Sequence, residues 1–179
     1  MSIEKGDLYP DLYLCMEKYF TRFLAAECHA SSHTVRSYRD TWVHYLKFMK
    51  ECKKTSVDKL TLASINKENV LQFMDWLQSS LENSPATRNI RLAAIKSFCG
   101  FMAYEDPVHV SQWMAISHIR PCKSKYGEIR YLTVEAMELL FKQIPVDTWQ
   151  GRRDMTLLYT LYYLALRASE LAHLTPSCI

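Results

Sequence analysis

The sequence contains little glycine, little proline and little net charge. Its 179 residues include four glycines and six prolines, and the stretches between them show helical spacing of apolar residues with almost no period-2 alternation. This patterning argues against a sheet-rich fold and predicts a mainly α protein. The 22 Lys and Arg residues exceed the 19 Asp and Glu residues by only three, so the overall charge permits an anionic partner without requiring one.

The sequence also lacks the marks of a membrane, secreted or metal-binding protein. No apolar run approaches the roughly 18 residues of a membrane span, and the N-terminus has neither a basic leader nor a small-residue cleavage site. We therefore expect a cytoplasmic protein. The six cysteines form no CxxC pair, which favours reduced thiols over a disulfide framework. Cys28, His29 and His33 have no fourth ligand at a useful spacing, so no metal site is predicted.

A hydrophobic content of 49% is enough for a folded core. The first predicted helix covers residues 11–29, the second begins at Ser31 or Ser32, the third follows an Asn66 cap, and the fourth begins at Ser84 before a proline. A short helix is expected within 106–116, then a fifth helix after Thr133 and a sixth from about residue 150 to 174. The predicted core face of the fourth helix contains Ile90, Ala94, Phe98, Phe101 and Met102.

Composition changes between residues 106 and 132, where "SHIRPCKSKYGEIRYL" shows little periodicity and contains four Lys or Arg residues. We interpret residues 117–132 as a linker. The predicted organisation is therefore a helical domain of four to five helices over 1–116, the linker, and a second helical segment over 133–179.

The segment "YLALRASELAHL" places Arg167 inside an apolar run that has the pattern of a largely buried helix. A buried guanidinium needs a partner. Glu170 lies three residues later on the same helical face. The residues alone leave three interpretations open: an ordinary Arg167–Glu170 ion pair, a side chain that snorkels to the surface, or an anion-binding arginine that Glu170 orients.

Taken in order, several segments resemble the tyrosine recombinase family, the phage-integrase type of site-specific DNA recombinases. "TVRSYRDTWVHYLKFM" resembles the second helix of that family's core-binding domain, which is SAM-like, and "SPATRNIRLAAIKSFCGFMA" resembles the fourth. "YLTVEAMELLF" is similar to the opening of the catalytic domain, and "ALRASEL" resembles the segment that carries the first catalytic arginine. Ala165 stands where the family usually has glycine.

The resemblance implies catalytic roles for Arg167, which would hold the scissile phosphate, and for Glu170, which would support it. Recombination in the family proceeds through a 3′-phosphotyrosine intermediate and needs no cofactor. The family's lysine, its His-x-x-Arg pair and its tyrosine nucleophile all lie downstream of this arginine. Tyr159, Tyr162 and Tyr163 precede it and are predicted to lie in the core. We therefore expect the 179-residue chain alone to bind DNA without cleaving it.

The partner implied by the resemblance is double-stranded DNA, together with other recombinase protomers on the same DNA. The second and fourth helices of the family's core-binding domain face the major groove, and linker cations add salt-dependent contacts. Thr34 and Thr87 lie near helix starts, where backbone amides favour phosphate. The full set of predicted DNA-binding residues is Thr34, Arg36, Arg39, Lys47, Thr87, Arg88, Asn89, Arg91, Lys96, Lys123, Lys125 and Arg130.

Two alternatives remain open: a shortened, non-enzymatic DNA-binding regulator, and a helical protein-interaction module whose basic faces are only solvated surface. For the segment 133–179 we also expect exposed apolar surface and self-association. Its two predicted helices offer limited cover for their apolar faces, which contain Leu139, Phe141, Leu157, Tyr159 and Leu161.

Overall fold

A computed structural model describes residues 11–123 and 131–175. The chain divides into two compact units, Met1–Lys125 and Tyr126–Ile179, and the division falls inside the predicted linker. The residues that the structure describes form eight α-helices and no β-strand, so the fold is mainly α as predicted.

In its described residues the first unit contains a π-helix, three 3₁₀ turns and five α-helices. Three of them begin with a capping side chain that sequence analysis identified: Ser31, Asn66 and Ser84 each accept a hydrogen bond from the backbone N–H three residues ahead. The elements are α1 (Leu12–Lys18), a π-helix (Tyr19–Glu27), α2 (Ser32–Glu51), 3₁₀ turns at Val57–Lys59 and Leu62–Ser64, α3 (Lys67–Ser79), α4 (Pro85–Glu105), a 3₁₀ turn at Pro107–His109, and α5 (Val110–Ser117).

Aromatic residues fill the centre of this unit. The Phe98 ring on α4 lies 4.9 Å from Trp42 of α2 and 5.2 Å from Tyr19 of the π-helix, measured between ring centroids and in edge-on geometry. Trp113 of α5 contacts the same ring, and all of these side chains are buried. Helix α4 is therefore the central element on which α2, α5 and the π-helix pack.

The second unit contains α6 (Val134–Lys142), α7 (Trp149–Leu164) and α8 (Ala168–Ala172). Thr133 caps α6 as predicted, and Thr148 caps α7 by accepting a hydrogen bond from the Gly151 N–H at 3.0 Å. A Cβ atom at Gly151 would overlap the carbonyl oxygen of Pro145. Glycine is thus required at this position by close backbone approach.

Four details of the helices differ from prediction. The first helix is α-helical only to Lys18, and its continuation has i→i+5 hydrogen bonds such as Cys28 N–H to Phe23 O. Ile90 of α4 is 52% exposed, so it was wrongly assigned to the core. The predicted sixth helix is broken after Leu164 into α7 and α8.

The fourth difference concerns the tyrosines of α7, which were predicted to be core residues and are not. Tyr159 and Tyr162 are exposed, and Tyr163 is 72% exposed. They form an aromatic cluster with Phe141 of α6, with a 4.6 Å centroid separation between Phe141 and Tyr159. The prediction of exposed apolar surface in this segment is confirmed by Leu139, Leu157 and Tyr159, whereas Phe141 and Leu161 are half-buried.

Across the described segments, no helix is long and apolar enough to cross a membrane. The five cysteines within these segments are free thiols; Cys15 and Cys99 are buried, whereas Cys28 and Cys52 are exposed. Burial raises the pKa of Cys99 to about 12. The same segments contain no group of three or more His, Cys, Asp or Glu side chains placed to hold a metal ion.

Candidate nucleic-acid interface

Helices α2 and α4 begin in the same way. Each starts with a Ser-x-x-Thr sequence in which the serine hydroxyl accepts the threonine N–H at 3.2 Å, at Ser31–Thr34 and at Ser84–Thr87. The two hydroxyl groups of each pair also lie 2.9–3.0 Å apart. Thr34 and Thr87 therefore lie in the first turns of their helices, where the positive end of the helix dipole favours an anion.

The predicted DNA-binding side chains of α2 are exposed. Arg36 and Arg39 are solvent-accessible, and among the residues the structure describes no hydrogen bond or ion pair joins either guanidinium to another group. Lys47 is also exposed, and its Nζ lies 3.8 Å from a carboxylate oxygen of Glu51. Such an exposed pair contributes little to stability, so all three cations remain accessible to a phosphate.

The predicted side chains of α4 do not share one outward face. The sequence interpretation that Arg88 points outward is wrong, because the side chain is 6% exposed. Its Nε and Nη1 atoms are buried without a hydrogen-bond partner in the described part of the chain. Arg88 follows its cap by one turn on an amphipathic helix, and the helix rotates it toward the protein.

Arg91 is directed toward α2. Its Nη1 donates to the carbonyl oxygen of Ser37 at 2.9 Å and to the hydroxyl oxygen of Thr41 at 3.2 Å. The Thr41 hydroxyl in turn donates to Ser37 O at 3.0 Å, and Thr41 is fully buried. Arg91 therefore joins α2 to α4 through Nη1, while its Nε is buried without a hydrogen-bond partner among the described residues.

Asn89 is directed the other way, toward the chain that leaves α5. Its Nδ2 donates to the Cys122 carbonyl oxygen at 2.8 Å, and its Oδ1 accepts the Cys122 N–H at 2.9 Å. Lys96 is half-buried, and Lys123 is exposed. Lys125 and Arg130 lie outside the described residues.

The side of α4 that does face solvent carries small and apolar residues. Ile90 is exposed, as are Ala93, Gly100 and Tyr104 along the same side of the helix. Sequence reasoning missed this side because Ile90 was counted with the core. The signal that would have found it is the spacing of Ala86, Ile90, Ala93 and Gly100 at four, three and seven residues.

Arg167 does not lie inside a helix, as the sequence indicated, but at the start of one. Its side chain is 82% exposed, and it occupies the cap position of α8. The Glu170 carboxylate accepts the Arg167 N–H at 2.7 Å and the Nη1 of its guanidinium at 2.8 Å. The backbone hydrogen bond and, after it, the guanidinium lower the pKa of Glu170. The two predicted catalytic residues are thus brought together.

Ala165 explains the break between α7 and α8. Its φ of 51° and ψ of 32° place it in the left-handed region, which an alanine adopts at a cost and a glycine adopts freely. Glycine at this position in the recombinase segment has a physical reason, since a left-handed residue ends a helix. The break turns the chain so that Arg167 begins a new helix.

Most of this chain is similar in sequence to known integrases and recombinases. The sequence profile of the phage integrase N-terminal SAM-like domain matches residues 18–106, which include α2, α3 and α4. The integrase/recombinase y4rC of Sinorhizobium fredii is 31% identical over 159 residues, which cover 89% of this chain and 48% of that protein. Its relative y4rD is 33% identical, with coverage of 87% and 55%.

A more distant match is the tyrosine recombinase XerC of Staphylococcus haemolyticus, 26% identical over 87% of this chain and 49% of that protein. The chain spans about half the length of these curated relatives. No solved structure matches it. The profile match across α2 to α4, together with these relatives, shows that the chain belongs to the tyrosine recombinase family.

Proposed function

We propose that the first unit is the core-binding domain of a site-specific tyrosine recombinase and that it binds duplex DNA through α2 and α4. One observation carries the proposal: Arg91 joins two helices that both begin with a Ser-x-x-Thr turn. The positive ends of both helix dipoles favour phosphates. The accessible cations of α2, Arg36 and Arg39, supply the salt-dependent part of the affinity.

The solvent-facing side of α4 supports the same proposal. An exposed Ile90 beside Ala93 leaves a narrow, apolar surface of the kind that approaches thymine methyl groups in a major groove. Polar residues at its margins, among them Thr87 and Lys96, are proposed to contact phosphates. Arg88 is retained as a DNA-binding candidate only through its small exposed part.

The test is fluorescence anisotropy with random and inverted-repeat duplexes over a range of salt concentrations. The double variant Arg36→Ala/Arg39→Ala should weaken binding and reduce the slope of log K against log salt by about 2, since each phosphate that is no longer neutralised reduces it by roughly 0.9. The matched control, Lys18→Ala/Arg22→Ala, removes the same charge from the first helix and should leave the slope near that of the parent. The proposal would be contradicted if both double variants reduced the salt slope equally, or if the parent chain bound no duplex at low salt.

For the second unit we propose that residues 133–179 begin the catalytic domain, with Arg167 as its phosphate-holding arginine and Glu170 as the group that orients it. Support comes from the Glu170 carboxylate, whose two oxygens accept the Arg167 backbone N–H and the Arg167 Nη1. These bonds fix the start of α8 while the guanidinium stays accessible. An accessible, preorganised guanidinium is what a developing phosphorane charge requires.

We further propose that the 179-residue chain alone binds DNA without cutting it. Support comes from the resemblance, which assigns the nucleophilic tyrosine and its partners to sequence beyond the first arginine, and from relatives that are about twice as long. A nicked duplex that traps phosphotyrosine adducts tests this point. A covalent protein–DNA band on a denaturing gel would overturn it.

Contact with other protomers on DNA is the last part of the proposal. The aromatic cluster of Phe141, Tyr159, Tyr162 and Tyr163 lies on an exposed part of the second unit, and exposed apolar surface of this kind favours association. Sedimentation velocity should show concentration-dependent self-association. A Tyr159→Ser/Tyr163→Ser variant should sediment as a monomer at concentrations where the parent associates.

A further inference from the structure

The side-chain amide of Asn89 is engaged in two hydrogen bonds with the backbone of one residue. Its Nδ2 donates to Cys122 O and its Oδ1 accepts from Cys122 N–H, as a neighbouring strand would do. These two residues are 33 positions apart in the chain. The contact therefore attaches the segment that follows α5 to the first turns of α4.

The attachment determines where Lys123 lies. Its Cα is about 3.8 Å from that of Cys122 across a trans peptide, so this exposed residue lies within side-chain reach of the N-terminal half of α4. Among the described residues, the two bonds between Asn89 and Cys122 are the hydrogen bonds that hold the chain nearest to Lys123. On an ideal helix, Asn89 and Arg91 point roughly 160° apart, so α4 is attached on one side to α2 and on the other to this segment.

We propose that Asn89 is a positioning residue that holds Lys123 against the phosphate backbone beside α4, rather than a residue that reads bases. This inference rests on the proposed function, because it assigns DNA as the ligand of Lys123. It also divides the predicted DNA-binding residues into two kinds. Asn89 affects DNA binding through Cys122 and Lys123, whereas Arg36 and Arg39 contact DNA directly.

The experiment uses the full chain and approaches the contact from both sides. Asn89→Ala removes the amide, whereas Cys122→Pro removes the backbone donor and leaves α4 unchanged. Cys122→Ala is the matched control, because both bonds are to the backbone and the thiol takes no part. Each variant is combined with Lys123→Ala, and anisotropy is measured against salt.

We expect the effects of these substitutions on the salt slope to be non-additive. Lys123→Ala in the parent should reduce the salt slope by roughly 0.9, and it should have a much smaller effect after Asn89→Ala or Cys122→Pro. Cys122→Ala should behave as the parent. Without DNA, hydrogen exchange of the Cys122 amide should be roughly tenfold faster in Asn89→Ala than in the parent.

Three results would overturn the proposal. If Asn89→Ala lowers the preference for a specific duplex while Cys122→Pro does not and Lys123→Ala remains additive, Asn89 reads DNA directly. If the Cys122 amide exchanges equally fast in the parent and in Asn89→Ala, the attachment does not exist in solution. A parent chain that binds no duplex would overturn the proposed function and the role of Lys123, while hydrogen exchange would still decide the attachment.

Discussion

The two units use the same local signals and bury very different amounts of apolar surface. Helices in both begin with Ser, Thr or Asn caps that the sequence predicts. Every buried hydrophobic residue of the described chain, however, lies between Leu12 and Ile119. Capping and periodicity thus define where helices form, whereas stability comes from packing, which the first unit has and the second largely lacks.

The largest expected difference between the units concerns aromatic residues. Phe98 is fully buried among Tyr19, Trp42 and Trp113, so Phe98→Ala should lower the free energy of unfolding of the first unit by about 3–5 kcal/mol. Phe141→Ala removes an equal side chain from a half-buried position and should cost well under half as much. Urea denaturation followed by circular dichroism measures both, and equal decreases would contradict the comparison.

Two arginines provide the next comparison. Arg91 donates to a carbonyl and a buried hydroxyl, and Arg91→Ala should destabilise the first unit by about 2 kcal/mol because it removes two hydrogen bonds from a charged donor. Arg167 is exposed and, within the described residues, paired only with Glu170, so Arg167→Ala should change stability by less than about 1 kcal/mol. Denaturation curves for the two variants test this order. Arg91→Ala behaving like Arg167→Ala would show that α2 and α4 are not joined by this contact.

A smaller effect is expected at the break between α7 and α8. Ala165→Gly should stabilise this turn by up to about 1 kcal/mol, since glycine avoids the steric cost of a left-handed residue but loses more entropy on folding. The same substitution at Ala168, which is helical, should destabilise α8 by about 0.5–1 kcal/mol. Native-state hydrogen exchange of the α8 amides measures both changes. Changes of the same sign at the two positions would refute a left-handed Ala165.

Much of the fold follows from the sequence because its determinants are local. The caps at Ser31, Asn66, Ser84 and Thr133 were predicted from two or three neighbouring residues, and all four are confirmed. The break at Ala165 was not predicted, because alanine is the strongest helix former and nothing in its side chain signals a positive φ. Only the family's glycine at this position pointed to it.

The candidate site was less predictable, because the direction of a polar side chain depends on its neighbours in space. Arg88, Asn89 and Arg91 were all expected to point outward, yet the first is buried and the other two bond to segments 33 and 54 residues away in the chain. Periodicity around one helix assigns a face, but it does not show which elements will cover that face. Arg36 and Arg39 were predicted correctly as exposed residues because α2 has a simpler, two-sided pattern.

The smallest expected effect is the pH dependence of the α8 start. The hydrogen bond from the Arg167 N–H and the pairing with its guanidinium lower the pKa of Glu170, so the folded state favours the ionised carboxylate. The contribution of Glu170 to stability is therefore complete above its unfolded-state pKa, and it disappears as the pH falls through the lowered value. Fraying of α8, measured by NMR chemical shifts of the 168–172 amides, should increase as the pH falls from about 5 to about 2. In Glu170→Gln the same shifts should be flat over this range. If the parent is equally flat, the carboxylate does not cap α8, and Arg167 lacks the orienting partner that the proposed function assigns to it.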